Sequence, residues 1–143
     1  MDLLEDEASQ QLNVASIANH INVAESTLHR WIKVLRQFYY CYLVKPWCKN
    51  VRQAIRKTPK VYLWDWSMIK DSGSRAENFV ASHLLKAVHY WTDIGLGEYE
   101  LFYVRDKLKR EVDILVSKNK RPWFLVEVKE TRNKGISKAL HYY

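Results

Sequence analysis

Carboxylates interrupt two of the most apolar stretches of this 143-residue chain. Glu111-Val112-Asp113-Ile114-Leu115-Val116 and Val126-Glu127-Val128-Lys129 are otherwise built from the Val, Ile and Leu of β-strands. An ionised carboxylate in such company is costly unless water, a cation or a hydrogen-bond donor reaches it. Strand side chains alternate between faces, so Asp113 is expected beside Glu111 and Leu115, and Glu127 beside Leu125 and Lys129. If the two strands are neighbours, one face of a sheet gathers Asp113, Glu127 and Lys129. That is a seat for a divalent cation and a phosphate.

The segments around these strands complete a small α/β unit. Asp71-Ser72-Gly73-Ser74 is made of turn and capping residues and marks the clearest break in the chain. Arg75–Trp91 follows with Ala76, Val80, Leu84, Ala87 or Val88, and Trp91 at helical spacing. Strands are expected over Tyr99–Arg105, Arg110–Val116 and Pro122–Lys129, with links short enough for antiparallel hairpins. Asn133–Tyr143 reads as the start of another helix, so a domain over 71–143 that stops short of a full covering layer is expected.

The first half has a different pattern. Residues 1–13 are acidic and read as a short helical lead-in or a frayed end. Ile17, Ala18 and Ile21 give a first helix, and Leu28, Trp31, Ile32 and Leu35 a second over Glu25–Phe38, opened by Ser26 and Thr27. Asn22 lies where turns between such helices usually place Gly, and Asn tolerates the left-handed conformation. Tyr39–Lys45 and Lys60–Asp65 read as strands, joined by a basic connection with Lys49, Arg52, Arg56 and Lys57. Two helices, a three-residue turn and two strands predict a winged helix-turn-helix over 10–70.

Charge divides along the same boundary. The chain carries a formal +7, but residues 14–70 hold ten bases against two acids while 71–143 hold thirteen against ten. A positive excess concentrated in the first half favours a polyanionic partner there. Thr27, His29, Arg30, Lys33 and Arg36 on the second helix, with Arg52, Arg56 and Lys57 in the connection, are the candidate contacts to phosphates and base edges. Cys41 and Cys48 form no CxxC pair, which argues against structural zinc, and with no signal-peptide pattern reduced thiols in the cytoplasm are expected. No apolar run reaches the length of a membrane span. The five histidines show no metal-ligand spacing, and no GxxxxGK[ST] phosphate loop occurs.

Helix, meander and acidic strands in this order resemble the PD-(D/E)XK, or restriction-endonuclease-like, nuclease fold, through Glu77, Asp113 and Glu127-Val128-Lys129. Residues 14–143 further resemble the C-terminal region of a family of bacterial and archaeal AAA-type ATPases, which pairs a winged helix with a nuclease-like module of unassigned function. Ile17–Leu35, Lys57–Asp65, Arg75–Val80, Arg110–Asp113 and Val126–Lys129 carry that likeness in the right order. The resemblance implies a catalytic set of Asp113, Glu127, Lys129 and Glu77. Asp113 and Glu127 would hold Mg²⁺ or Mn²⁺, Glu77 would support them, and Lys129 would polarise the attacking water or steady charge on the phosphate. The implied reaction is phosphodiester hydrolysis, with DNA as the expected partner.

Plainer accounts of the same residues exist. Glu111, Asp113, Glu127 and Lys129 could be solvated cross-strand pairs on a wet sheet face. The basic helix face could dock a protein, and the aromatics Tyr39, Tyr40, Tyr42, Trp47, Tyr62, Trp64 and Trp66 could stack on bases or simply pack. The alternative function is a non-catalytic DNA- or protein-binding accessory module of an AAA-type ATPase.

Overall fold

The computed structural model describes residues 2–48, 58–131 and 135–143. Its helices are α1 (Asp2–Asp6), α2 (Val14–His20), α3 (Glu25–Gln37), α4 (Ser72–Asp93) and α5 (Lys138–Tyr142). Its strands are β1 (Cys41–Pro46), β2 (Lys60–Leu63), β3 (Tyr99–Arg105), β4 (Glu111–Lys118) and β5 (Arg121–Val126). All five strands join one mixed sheet in the order β2-β1-β3-β4-β5. The two strands expected to form a wing are therefore also the edge of the meander's sheet. The junction is the parallel pairing of β1 with β3, Lys45 opposite Phe102 and Pro46 opposite Tyr103, and the other pairings are antiparallel.

Alternation along β1 and β2 sends successive side chains to different partners. Cys41, Val61 and Leu63 pack with Leu4, Ile17, Leu28 and Ile32 of the N-terminal helices. Tyr42, Val44 and Tyr62 face α4 through Ala81 and Val88, together with Ile114 and Val116 of β4. A third cluster, Val104, Val112, Leu115 and Ala139, lies under α5.

The turn between α2 and α3 follows the expected chemistry. Asn22 adopts φ 57°, and the Val23 N–H donates to the Ala18 carbonyl at 2.9 Å. The opening of α3 differs, because Ala24 rather than Ser26 or Thr27 is its N-cap and no side chain caps it. Trp31, expected in the apolar stripe, is 48% exposed, while Leu28 and Ile32 beside it are buried. Helix α4 begins at Ser72, three residues before the expected Arg75, because the Asp71 carboxylate accepts from the Ser74 N–H at 2.7 Å.

Two departures matter for the acidic strands. Between Phe102 and Val104 on β3, the partners on β4 run from Leu115 to Val112, so three steps of β4 span two of β3. This bulge at Asp113–Ile114 breaks the alternation. Leu115 joins Val112 under α5, while Ile114 faces α4, so Asp113 and Leu115 are not the same-face pair that strict alternation predicts. The last strand also ends at Val126, leaving Glu127-Val128-Lys129 beyond it. There the Val128 N–H donates to the Asp113 carboxylate at 2.8 Å instead of to a backbone carbonyl.

Asn78 of α4 fastens β2 from the side. Fully buried, its amide accepts from the Leu63 N–H and donates to the Leu63 carbonyl, both at 2.8 Å, and donates also to Ser82 Oγ at 3.2 Å. Asn78→Ala leaves both backbone groups of Leu63 without these partners. The expected loss is about 2–4 kcal/mol in unfolding free energy, read from urea denaturation. A loss under about 0.5 kcal/mol contradicts this role.

Candidate functional site

The start of α4, the start of β2 and the bulge of β4 meet at a buried ammonium. Lys60 opens β2, and with Tyr62 two residues on it shares the face that looks toward α4. Its side chain is 3% exposed. Lys60 Nζ lies 2.9 Å from Glu77 Oε1 and 2.7 Å from Glu111 Oε1. The Tyr62 hydroxyl donates to the same Glu77 oxygen at 2.7 Å, and Arg105 Nη1 lies 2.9 Å from the second oxygen of Glu111. The Tyr103 ring passes 5.6 Å from the ammonium, with the Tyr103 hydroxyl donating to the Thr58 carbonyl.

Asp113 borders this group and links it to the segment after β5. Burial pushes its carboxyl above the usual range; the Val128 N–H and Lys60 oppose that, and the charges of Glu127 and Glu111 add to it. Glu77 is likewise raised by burial, against the pull of Lys60 and with Asp113 adding. Burial would depress the Lys60 ammonium, yet Glu77 and Glu111 outweigh it and hold the group above its ordinary value. Burial acts on Glu127 as well, but its bonds with Lys129 and Ser137 prevail and its carboxyl stays below the usual range. Lys129 Nζ is 2.9 Å from Glu127 Oε1, and the Ser137 N–H reaches the other oxygen at 3.3 Å.

The fold therefore brings Glu77 and Asp113 around one ammonium and sets Glu127, with Lys129 on it, within electrostatic reach of Asp113. Lys60, Tyr62 and Glu111 escaped the sequence reading as site residues. Lys60 and Tyr62 are two apart in a strand, a same-face pair, but the acids they meet lie 17 and 51 residues further on. One Glu77 oxygen is engaged by Lys60 and Tyr62, Glu127 by Lys129 and Ser137, and one Asp113 oxygen by Val128. Among the described residues no group of three or more His, Cys, Asp or Glu is placed to hold a metal ion.

The basic candidates lie elsewhere, on α3. At 3.6 residues per turn Arg36, His29, Lys33 and Arg30 fall on one continuous arc of roughly 120°, and all four are exposed. Thr27 is half-buried at the edge of the apolar side. Arg52, Arg56 and Lys57 lie outside the described residues.

Residues 1–72 match a domain of unknown function (DUF8612), and residues 72–143 match a second domain of unknown function (DUF4143), each just over half of the chain. The chain belongs to both families. DUF4143 is often found in C-terminal regions associated with AAA-type ATPases. Uncharacterized proteins of Mycobacterium bovis and Mycobacterium tuberculosis are each 24% identical over 138 residues, 92% of this chain and 31% of theirs. The chain thus spans about a third of the length of the curated relatives it matches. No solved structure matches it. The boundary at Ser72 is the first residue of α4, so Lys60 and Tyr62 come from the DUF8612 half while Glu77, Glu111 and Asp113 come from the DUF4143 half. No described helix is long and apolar enough to cross a membrane.

The raised carboxyl of Asp113 makes a signed prediction. A group whose folded pKa exceeds its unfolded value favours folding at low pH and loses that advantage as pH rises through the folded pKa. At neutral pH the Asp113 charge therefore costs stability. Asp113→Asn keeps an oxygen for the Val128 N–H and removes the charge. The urea midpoint at pH 7 is expected to rise above wild type, the gain shrinking as pH falls toward about 4. A midpoint lowered at pH 7 contradicts the electrostatic assignment.

Proposed function

We propose that the chain is a nucleic-acid-binding accessory module of an AAA-type ATPase, and that the basic arc of α3 makes the contact. Read at finer grain, α2, α3, β1 and β2 form a winged helix-turn-helix with α3 as the recognition helix. On the same reading α4 with β3–β5 is a restriction-endonuclease-like core fused to it. The observation that carries this is the arc itself: His29, Arg30, Lys33 and Arg36 are exposed together, and none is held in an ion pair among the described residues. Glu77, Glu111 and Glu127 of the other half are instead engaged by Lys60 and Lys129. A cationic helix face whose bases are not drawn into ion pairs suits a phosphate backbone.

A second reading keeps the phosphodiester hydrolysis that the resemblance implies, with Mg²⁺ or Mn²⁺ as cofactor. What favours it is that Glu77, Asp113, Glu127 and Lys129 come together at one end of β4, where a bulge redirects Asp113. The arrangement as it stands engages Glu77 and Glu127 with ammonium groups and Asp113 with the Val128 N–H. We therefore place binding first and hydrolysis second.

Binding of labelled duplex DNA, followed by anisotropy across a salt series, tests the first reading. Affinity is expected to fall steeply with salt, and Arg30→Ala with Lys33→Ala to reduce the slope of log K against log salt by about two. A salt-insensitive complex, or a slope untouched by the double change, contradicts it and points to a protein partner. DNA cleavage in Mg²⁺ or Mn²⁺ that vanishes in Lys129→Ala would promote the second reading.

A further inference from the structure

A pocket beside the basic arc has a composition that duplex contact alone does not require. Its cavity of about 360 Å³ is lined by Lys33 and Arg36 of α3 and by Tyr39, Cys41, Tyr42 and Trp64. That volume lies within the range of small-ligand sites. Tyr39 is 72% exposed and Trp64 38%, and their rings meet edge to face at 5.7 Å. Trp64 is steadied from behind by Tyr42 at 5.2 Å, whose hydroxyl is committed to Ser82 at 3.0 Å.

The backbone at Tyr39 is the less ordinary feature. Helix α3 ends with the Tyr40 N–H bonded to the Leu35 carbonyl and the Tyr39 N–H to that of Arg36, the two bonds of a Schellman cap. The residue at its left-handed position is normally Gly, and here it is Tyr39 with φ 55°. A bulky side chain held in that conformation costs stability, and such strain gathers at functional positions. What it achieves is placement: an exposed phenol ring set on Trp64, next to two cations.

We infer that Tyr39 and Trp64, with Lys33 and Arg36, form a pocket for an unpaired nucleotide of a single-stranded nucleic acid. The aromatic pair stacks the base and the two cations take the flanking phosphates, the combination by which single strands are held without sequence preference. Because Lys33 and Arg36 also belong to the arc of α3, a strand tracking that helix delivers a base to Tyr39. The inference rests on the nucleic-acid reading above and adds the class of strand and the stacking residue.

Oligothymidylate and a duplex of the same length serve as probes, each measured by anisotropy with the full chain. Tyr39→Gly removes the ring at a position whose φ favours Gly. It is expected to leave the urea midpoint no lower than wild type, to weaken oligothymidylate binding about tenfold, and to leave duplex binding within about twofold. Tyr39→Phe keeps the stacking face and is expected to retain single-strand affinity. Unchanged oligothymidylate binding in Tyr39→Gly, or an equal loss on both probes, overturns the pocket while nucleic-acid binding stands. Wild-type protein that binds neither probe overturns both.

Discussion

One buried ammonium joins the two halves of this chain. Lys60, at the start of β2, accepts no water-exposed compromise: its charge is satisfied by Glu77 and Glu111, and by the face of Tyr103. Burying ions is expensive, and removing one member of such a group leaves the others uncompensated. The arrangement therefore makes the docking of the DUF8612 strands against the DUF4143 helix and sheet conditional on charge as well as on apolar contact. Asn78 on Leu63 and the Tyr42 hydroxyl on Ser82 at 3.0 Å cross the same seam. Together with the parallel pairing of β1 and β3, they turn two sequence families into one sheet.

The same ammonium governs the chemistry open to the acidic end of β4. A carboxylate cluster free of internal cations would attract a divalent ion. Here Lys60 and Lys129 supply positive charge from the chain itself, and the bulge at Asp113 aims that carboxyl at the Val128 N–H. The basic surface stands apart, on α3, and continues into the aromatic pocket at Tyr39.

Much of this was legible because it is local. Asn22 announced a left-handed turn and adopts it, and Asp71 with its serines announced the opening of α4. The helices and strands fall close to the periodicities that Ile17, Leu28, Val80 and Ile114 carry. What escaped was long-range or irregular. Nothing in Lys60-Val61-Tyr62-Leu63 says which acids it will meet, because those acids are far along the chain and reach it only once the sheet exists. The bulge at Asp113 is set by the register of β3 against β4, so alternation misplaced Leu115. Glu127-Val128-Lys129 has strand composition, but a side-chain carboxylate took the hydrogen bond that would have extended the ladder. Trp31 has core character and stays half exposed. Tyr39 occupies a position where composition alone would place glycine.

The coupling between Lys60 and Glu77 is most directly measured by a double-mutant cycle on urea unfolding at neutral pH. Lys60→Met alone is expected to cost about 3–5 kcal/mol, because it strands Glu77 in a buried site and leaves Glu111 to Arg105 alone. With Glu77→Gln added, the combined loss should fall short of the sum of the single losses by more than about 1 kcal/mol. Losses that simply add would mean that the ammonium and the carboxylate act independently, and that the seam between the two halves is held by something else.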